Sequence, residues 1–438
     1  MSPERAPTRI VILGGGFAGL ALAQRLEKIV RKDEVDVTLV SRDNYALFTP
    51  MLPEVSAGDL EPRHIVSPLR ALLRHTKLML AEVTAIDFEE KTLDVRFVLD
   101  RSAQQLRYDH LVLATGSVTA TFGIPGVGEH TFPFKRLEDA DALRNHIVST
   151  LELADVESDP SKRRTLLTYA IVGGGYTGVE VAGELVDFFH SVLGYYRTIE
   201  RNEIQIALIE GGPRLLPDLL PKMGVYCTEF LSRRRVRVML GAPVASVDSG
   251  GVAFKDGRRV DAATVVWSAG VRPSPFIAGL PLPHARNGGI MAQADMSVEG
   301  HPGVWALGDC AWIPAPEGGY YPSTAQHALR EGPALAENIL RVLRGQPTRP
   351  FKWKALGTMA SLGGRRGVVG FPNGFVLTGF LAWWLWRTYY LVRIPGWYRK
   401  VRVGFDWFIG LIFPRDIAEL RVDTERARSD ARRDAGRA

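Results

Sequence analysis

The chain has 438 residues, 46% of them hydrophobic and 23% charged, with a formal net charge of +6. That supports two or three domains with full cores and excludes a disordered or low-complexity polypeptide. The only cysteines, Cys227 and Cys310, are far apart, which excludes a disulfide framework and a CxxC metal site and points to a reducing compartment.

The positive charge suits an acidic partner and an ordinary solvated surface equally well. No nucleic-acid partner and no bound metal are expected. Residues 1–9 are polar and pass straight into an apolar run, so no secretory signal is expected.

That run, Ile10-Val11-Ile12-Leu13, leads into Gly14-Gly15-Gly16-Phe17-Ala18-Gly19 and an Ala/Leu-rich helical pattern over residues 20–27. This is the strand, turn and helix of a dinucleotide-binding unit. Gly14 permits the turn, Gly16 lets a pyrophosphate approach the backbone, and Gly19 lets the helix pack on the strand. The helix start offers free N–H groups and the positive end of its dipole.

A second strand over residues 35–40 ends in Ser41-Arg42-Asp43. The acid expected at that end is missing by position, and Ser41 is a poorer ribose partner, with Arg42 and Asp43 as alternatives. Residues 44–53, Asn-Tyr-Ala-Leu-Phe-Thr-Pro-Met-Leu-Pro, read as an irregular loop, laid over a flat ligand or simply packed on the surface. Residues 77–109 alternate and suggest a small antiparallel insertion. Leu111-Val112-Leu113-Ala114-Thr115-Gly116-Ser117 returns a buried strand ending in small residues.

A second copy of the unit follows. Tyr169-Ala170-Ile171-Val172 leads into Gly173-Gly174-Gly175-Tyr176-Thr177-Gly178-Val179-Glu180, and the next strand ends in Glu210. A carboxylate there can take both ribose hydroxyls of NADH and repel a 2′-phosphate. Glu180 and Glu184 are spaced i, i+4 on the helix, with Glu180 expected in its first turn beside the nicotinamide. Val265-Val266-Trp267-Ser268-Ala269-Gly270 reads as a further strand of that sheet. Gly303-Val304-Trp305-Ala306-Leu307-Gly308-Asp309 repeats the grammar with an acid that either holds a flavin ribityl hydroxyl or caps the next element.

Toward the C-terminus, residues 375–386 form an apolar run shorter than the ~20 residues that cross a bilayer. Five of the nine tryptophans, Trp383, Trp384, Trp386, Trp397 and Trp407, lie in this region with Arg399, Lys400 and Arg402. Aromatic and basic residues so mixed suit an anionic membrane surface over residues 375–414. A dimer interface or a cap over the first unit is the rival explanation.

Taken together, the two glycine turns, Ala114-Thr115-Gly116-Ser117, Trp267-Ser268-Ala269-Gly270 and Gly308-Asp309-Cys310-Ala311 resemble the two-dinucleotide-binding flavoproteins. The order of those pieces, with residues 45–50, Thr324-Ala325-Gln326-His327-Ala328 and residues 356–363, resembles the type II NADH dehydrogenases, the non-proton-pumping NADH:quinone oxidoreductases. The resemblance covers residues 9–419.

It implies an α/β fold of two Rossmann-like dinucleotide-binding domains of the disulfide-reductase type plus a C-terminal membrane-associating helical region. Residues 1–160 and 291–350 would form the FAD-binding domain, 161–290 the NADH-binding domain, 351–420 the membrane-association region and 421–438 a disordered tail. Gly14, Gly16, Phe17, Ala18, Gly19, Ser41 and Arg42 would hold FAD, with Thr49, Pro50, Ala114, Thr115, Gly116, Asp309, Ala325 and Gln326. Gly173, Gly175, Tyr176, Thr177, Gly178, Glu180, Glu210, Ala269 and Gly270 would hold NADH. Glu180 and Gln326 are the catalytic candidates, Gln326 on the quinone-facing side of the flavin. The activity implied is hydride transfer from NADH to FAD and two electrons onward to a quinone, at the cytoplasmic face of the cell membrane, by a peripheral protein that could pair as a homodimer. Two alternatives are an NADH-binding flavoprotein with a redox-sensing role and a sulfide:quinone-reductase-like enzyme, which relies on several cysteines.

Overall fold

The computed structural model describes residues 6–31 and 33–419; the tail expected to be disordered, residues 421–438, lies outside them. The chain opens with β1 (Thr8–Leu13), α1 (Phe17–Ile29), β2 (Val35–Ser41), the short α2 (Leu52–Ser56), β3 (Lys77–Asp87), β4 (Thr92–Phe97), β5 (Ala103–Arg107) and β6 (His110–Leu113). It continues through β7 (Phe132–Pro133), α3 (Leu137–Val156), β8 (Thr168–Val172), α4 (Tyr176–Val192), β9 (Gln205–Ile209), β10 (Val236–Met239) and β11 (Thr264–Trp267). The last part holds β12 (Val304–Ala306), α5 (Ala325–Leu343), β13 (Thr358–Ser361), β14 (Gly367–Gly370), β15 (Val376–Gly379), α6 (Phe380–Arg393) and α7 (Trp397–Ile409).

Two sheets organise these elements, the second all parallel and the first parallel except at its β3-β4-β5 end. The first runs β12-β6-β1-β2-β3-β4-β5, and the second runs β7-β11-β8-β9-β10. In each, the glycine-turn strand lies in the middle and is fully buried at its carboxyl half, as apolar runs covered on both faces must be. Register aligns the strand ends. Leu13 pairs with Val40 and Leu113, and Leu113 with Ala306. Val172 likewise pairs with Ile209 and Trp267. Each sheet therefore carries a crevice at the carboxyl ends where strand order reverses, the place such sheets bind ligands.

The antiparallel insertion expected over residues 77–109 is present as β3-β4-β5, and it is continuous with the first sheet: Lys77 to Leu80 of β3 pair parallel with β2, the rest of β3 pairs antiparallel with β4, and β4 antiparallel with β5. An 11-residue strand is long enough to serve both neighbours, so the first sheet simply extends. Residues 44–53 are not an irregular loop. They form a short strand, a 3-10 turn over Thr49–Met51 and the start of α2. Pro50 and Pro53 fall in first turns, where the missing N–H has no partner to lose.

The two units are joined by more than covalent linkers. Short strands Val118–Thr119 and Val271–Arg272 pair antiparallel, and the buried Trp267 indole donates to Ala120 O at 2.8 Å. In the C-terminal part, an antiparallel sheet β13-β14-β15 supports α6, and α7 packs against α6 and the turn at Pro62–His64. The apolar run at 375–386 thus begins as a strand rather than as helix. Among the described residues no helix is long and apolar enough to cross a membrane.

Candidate active site

Both glycine turns adopt the same strained geometry. Gly14 and Gly173 have φ of 111° and 115°, open to glycine and hostile to other residues. A Cβ on Gly14 would lie 2.3 Å from Ala114 O, and one on Gly173 2.7 Å from Ala269 N. Cβ atoms on Gly19 and Gly178 would sit 2.0 and 1.8 Å from the carbonyl oxygens of Gly14 and Gly173, so helix and strand touch only because these are glycines. Gly16 and Gly175 face open space. They cap α1 and α4 without any side-chain hydrogen bond, which leaves the first-turn amides of Phe17, Ala18, Tyr176 and Thr177 free for phosphate oxygens.

The strand ends differ between the units. Glu210 accepts from the Gly174 and Gly212 amides, both at 2.7 Å, which fixes its carboxylate at the end of β9 beside the glycine turn. In the first unit Ser41 occupies the matching place. A Cβ on Gly15 would be 2.9 Å from Ser41 Oγ, and one on Gly174 would be 2.8 Å from Glu210 Oε2. Burial raises the carboxyl of the neighbouring Asp43, and the charges acting on it are Arg136, Glu138 and the exposed Arg42.

Around the first crevice, Asp309 lies in a 3-10 turn following β12. It accepts from Ser117 Oγ at 2.7 Å and pairs with Lys135 Nζ at 3.2 Å. The turn sits against α1, with a Gly308 Cβ position 3.3 Å from the Ala18 side chain. The Gly308 amide donates to Glu331 at 2.7 Å, and burial pushes the Glu331 carboxyl up to about 7. Thr115 flanks the Gly14 turn, and Gly116 faces open space. Phe48, just before Thr49 and Pro50, packs edge-on against Phe17 and Tyr390 at 5.8 Å.

Gln326 stands one residue inside the start of α5, after Ala325. Its Nε2 donates to Gly357 O at 3.1 Å, while its Oε1 is buried without a hydrogen-bond partner. A buried amide oxygen left open is costly unless a ligand donor meets it. That orphan, the open face at Gly16 and the uncapped start of α1 are what a flavin dinucleotide requires, and the first crevice fits FAD.

Glu180 departs from expectation. It sits in the second turn of α4, not the first, and it is buried. Its Oε1 accepts from Ser361 N and Trp386 Nε1, both at 3.1 Å. Burial pushes its carboxyl up to about 8, against those two hydrogen bonds. Glu184 is buried one turn further, raised by burial, and bonded through Oε2 to Arg415 at 2.9 Å.

Sequence reasoning missed Lys135, Ser117, Glu331, Trp386 and Arg415 as partners of site groups. Ser117 stood inside a quoted motif and Trp386 inside the aromatic C-terminal region; the pairings themselves join segments distant in the chain. The two cysteines form no redox pair, since burial raises Cys227 to about 12 and Cys310 to about 11 and they sit in different cores.

Comparison with known proteins points the same way. Residues 8–332 match the family of pyridine nucleotide-disulphide oxidoreductases, and residues 355–416 match the NDH2 C-terminal domain. A type II NADH:quinone oxidoreductase of Mycobacterium tuberculosis is 33% identical over 92% of this chain and 87% of its own. One from Staphylococcus aureus is 32% identical over 82% of this chain and 89% of its own. The structure of NDH2 from Plasmodium falciparum in complex with NADH superposes with a TM-score of 0.88 at 23% identity, covering 94% of this chain and all of that one. The sulfide:quinone oxidoreductase of Aquifex aeolicus shares the fold at a TM-score of 0.71 and 17% identity, over 90% and 92% of the two chains.

Proposed function

The chain belongs to the type II NADH:quinone oxidoreductases, within the pyridine nucleotide-disulphide oxidoreductases, and from that premise we propose how its residues divide the work. It is an FAD-dependent enzyme that takes hydride from NADH and reduces a quinone, without proton pumping. The observation that carries the division of labour is the pair of equivalent, uncapped glycine turns with unequal strand ends, Ser41 in one and Glu210 in the other.

Bound FAD supplies the hydride-accepting and quinone-reducing chemistry. The turn at Gly14, Gly16 and Gly19 and the amides of Phe17 and Ala18 receive its pyrophosphate. Ala114, Thr115, Gly116 and the Thr49-Pro50 turn enclose it, and Asp309 bonds its ribityl chain, oriented by Ser117 and Lys135. The turn at Gly173, Gly175 and Gly178, with Tyr176 and Thr177, receives the pyrophosphate of NADH. Glu210 takes the adenosine ribose, and Ala269 and Gly270 line the far wall. Ala325 and Gln326 face the quinone side.

Quinone reduction consumes two protons. Glu180, held near 8 by burial, keeps one at neutral pH, on Oε2 because Oε1 accepts two hydrogen bonds. Its partner Trp386 belongs to α6, so the acid lies where the NADH unit meets the C-terminal helices.

Those helices form the membrane face. Leu381, Trp384, Val401, Phe405 and Phe408 are more than half exposed, while Ala382, Trp386, Val403 and Trp407 point inward. An outward apolar face beside Arg393, Lys400 and Arg402 supports peripheral docking on an anionic leaflet, and our reading is that this leaflet is the cytoplasmic one. A homodimer would use part of the same face. In domain terms, residues 1–160 with 291–350 hold FAD, 161–290 hold NADH, and 351–420 dock on lipid.

The test is steady-state oxidation of NADH by purified, FAD-loaded protein. Turnover that depends on an added quinone analogue supports the assignment; turnover indifferent to quinone contradicts it.

A further inference from the structure

Phe122 is the most exposed phenylalanine among the described residues, at 66%, and it lies outside the membrane face. Its φ is +53°, a left-handed backbone that a bulky residue rarely adopts and that glycine takes freely. The segment is fixed in that shape from both sides. Ala120 N donates to Gly270 O at 3.0 Å, Ile124 N to Thr121 O at 3.0 Å, and Val247 N to Pro125 O at 3.0 Å. Neither burial nor backbone preference in the free protein accounts for an aromatic here, and strain of this kind collects at ligand sites.

What the ring does touch is specific. A Cβ built on Gly270 would lie 2.9 Å from Phe122 Cζ, so the ring edge fills the space that a side chain at 270 would take. Gly270 follows β11, and Gly173 follows β8, and those two strand ends are the walls of the second crevice. Glu210 follows β9, on the opposite side of β8. A nucleotide whose pyrophosphate rests at Gly175 and whose adenosine ribose meets Glu210 must send its other half toward Gly270 and Phe122. Phe122 also comes from the first unit, five residues after Ser117, which bonds Asp309. The ring thus stands where the two units face each other.

We propose that Phe122 is a nucleotide-contact residue, its ring forming the apolar wall against which the nicotinamide riboside half of the dinucleotide packs beside Gly270. This rests on the reading that the second unit takes NADH. The hydrogen-bonded backbone fixes where the ring leaves the chain, beside Gly270, before the ligand arrives.

The test is calorimetric titration of oxidised holoenzyme with NAD+ and, separately, with ADP-ribose, which lacks the nicotinamide. Phe122→Gly and Phe122→Leu should weaken NAD+ binding by about tenfold and leave ADP-ribose within about twofold of wild type. Phe122→Tyr should bind both as wild type does. The melting temperature of Phe122→Gly should not fall, because glycine accepts the positive φ. Unchanged NAD+ affinity in both ring-removing variants, or equal loss of both ligands, would overturn the proposal. Wild-type protein that binds neither ligand would instead overturn the NADH reading beneath it.

Discussion

Glu184 and Arg415 lie 231 residues apart in sequence, and their side chains meet at 2.9 Å inside the protein. The same guanidinium donates to Ala57 O and Glu184 O, each at 3.1 Å, and lies 3.7 Å from Asp59. Arg415 also stands two residues after the exposed Leu411, Ile412 and Phe413. One buried cation therefore ties the end of the apolar face to α2 and to the helix that begins at the second glycine turn.

Removing that cation leaves Glu184 without its counter-charge and Asp59 with Arg387 alone, at 3.3 Å, beside Glu54, whose carboxyl burial already pushes up and whose Oε2 has no partner. Arg415→Ala should cost about 3–5 kcal/mol and lower Tm by roughly 4 °C. Adding Glu184→Gln to it should recover part of the loss. Thermal unfolding of the two variants checks both statements. It also follows that deleting everything after Pro372 is a poor test of membrane docking, since that cut removes Trp386 and Arg415 together.

Glu180 makes stability depend on pH in a definite direction. Its folded value of about 8 lies above the unfolded carboxyl value of about 4.3. The folded protein thus binds an extra proton between those limits, and stability falls as pH rises through them. Tm should drop between pH 5 and 9, and Glu180→Gln should make the drop shallower by roughly 5 °C. Glu331 and Glu184 titrate in the same direction and remain in the variant, so the slope is reduced rather than abolished. Parallel wild-type and variant curves would contradict the assignment.

The division between what the sequence disclosed and what it hid follows contact distance. Both glycine turns, their strands and the acid at Glu210 are local in the chain, so their spacing alone located them. Spacing singled out Glu180 as a functional acid, but the burial of Glu180 and Glu184 was not legible, because the groups that meet them, Ser361, Trp386 and Arg415, come from far downstream. Residues 44–53 looked irregular because two prolines suggested interruption, whereas each opens a short helical turn. The left-handed backbone at Phe122 has no sequence signal at all, since glycine is what such a φ normally selects.

The unequal strand ends predict opposite responses. Glu210→Arg should lower the ratio of kcat/KM for NADH over NADPH by at least about tenfold, because it replaces the carboxylate that repels a 2′-phosphate. Ser41→Glu should instead tighten FAD binding to apoprotein by about tenfold, through a charge-assisted bond to the ribose. Coenzyme kinetics reads the first and titration of apoprotein with FAD reads the second; an unchanged ratio or an unchanged Kd removes the corresponding role.

Docking on lipid should depend on the outward residues only. Trp384→Glu with Phe405→Glu places charge on half-exposed positions that support no buried contact. The double variant should stay in the supernatant when anionic vesicles are sedimented, while NADH-driven flavin reduction in solution persists. Co-sedimentation equal to wild type would assign docking elsewhere.

The central claim, that two crevices bring a flavin and a nicotinamide together in one chain, is tested most directly by anaerobic titration of purified protein with NADH. The account predicts one FAD per chain, complete bleaching of the flavin absorption by one equivalent of NADH, and its return on adding a quinone analogue. A protein that takes up no FAD, or whose bound flavin stays oxidised with NADH in excess, would contradict it.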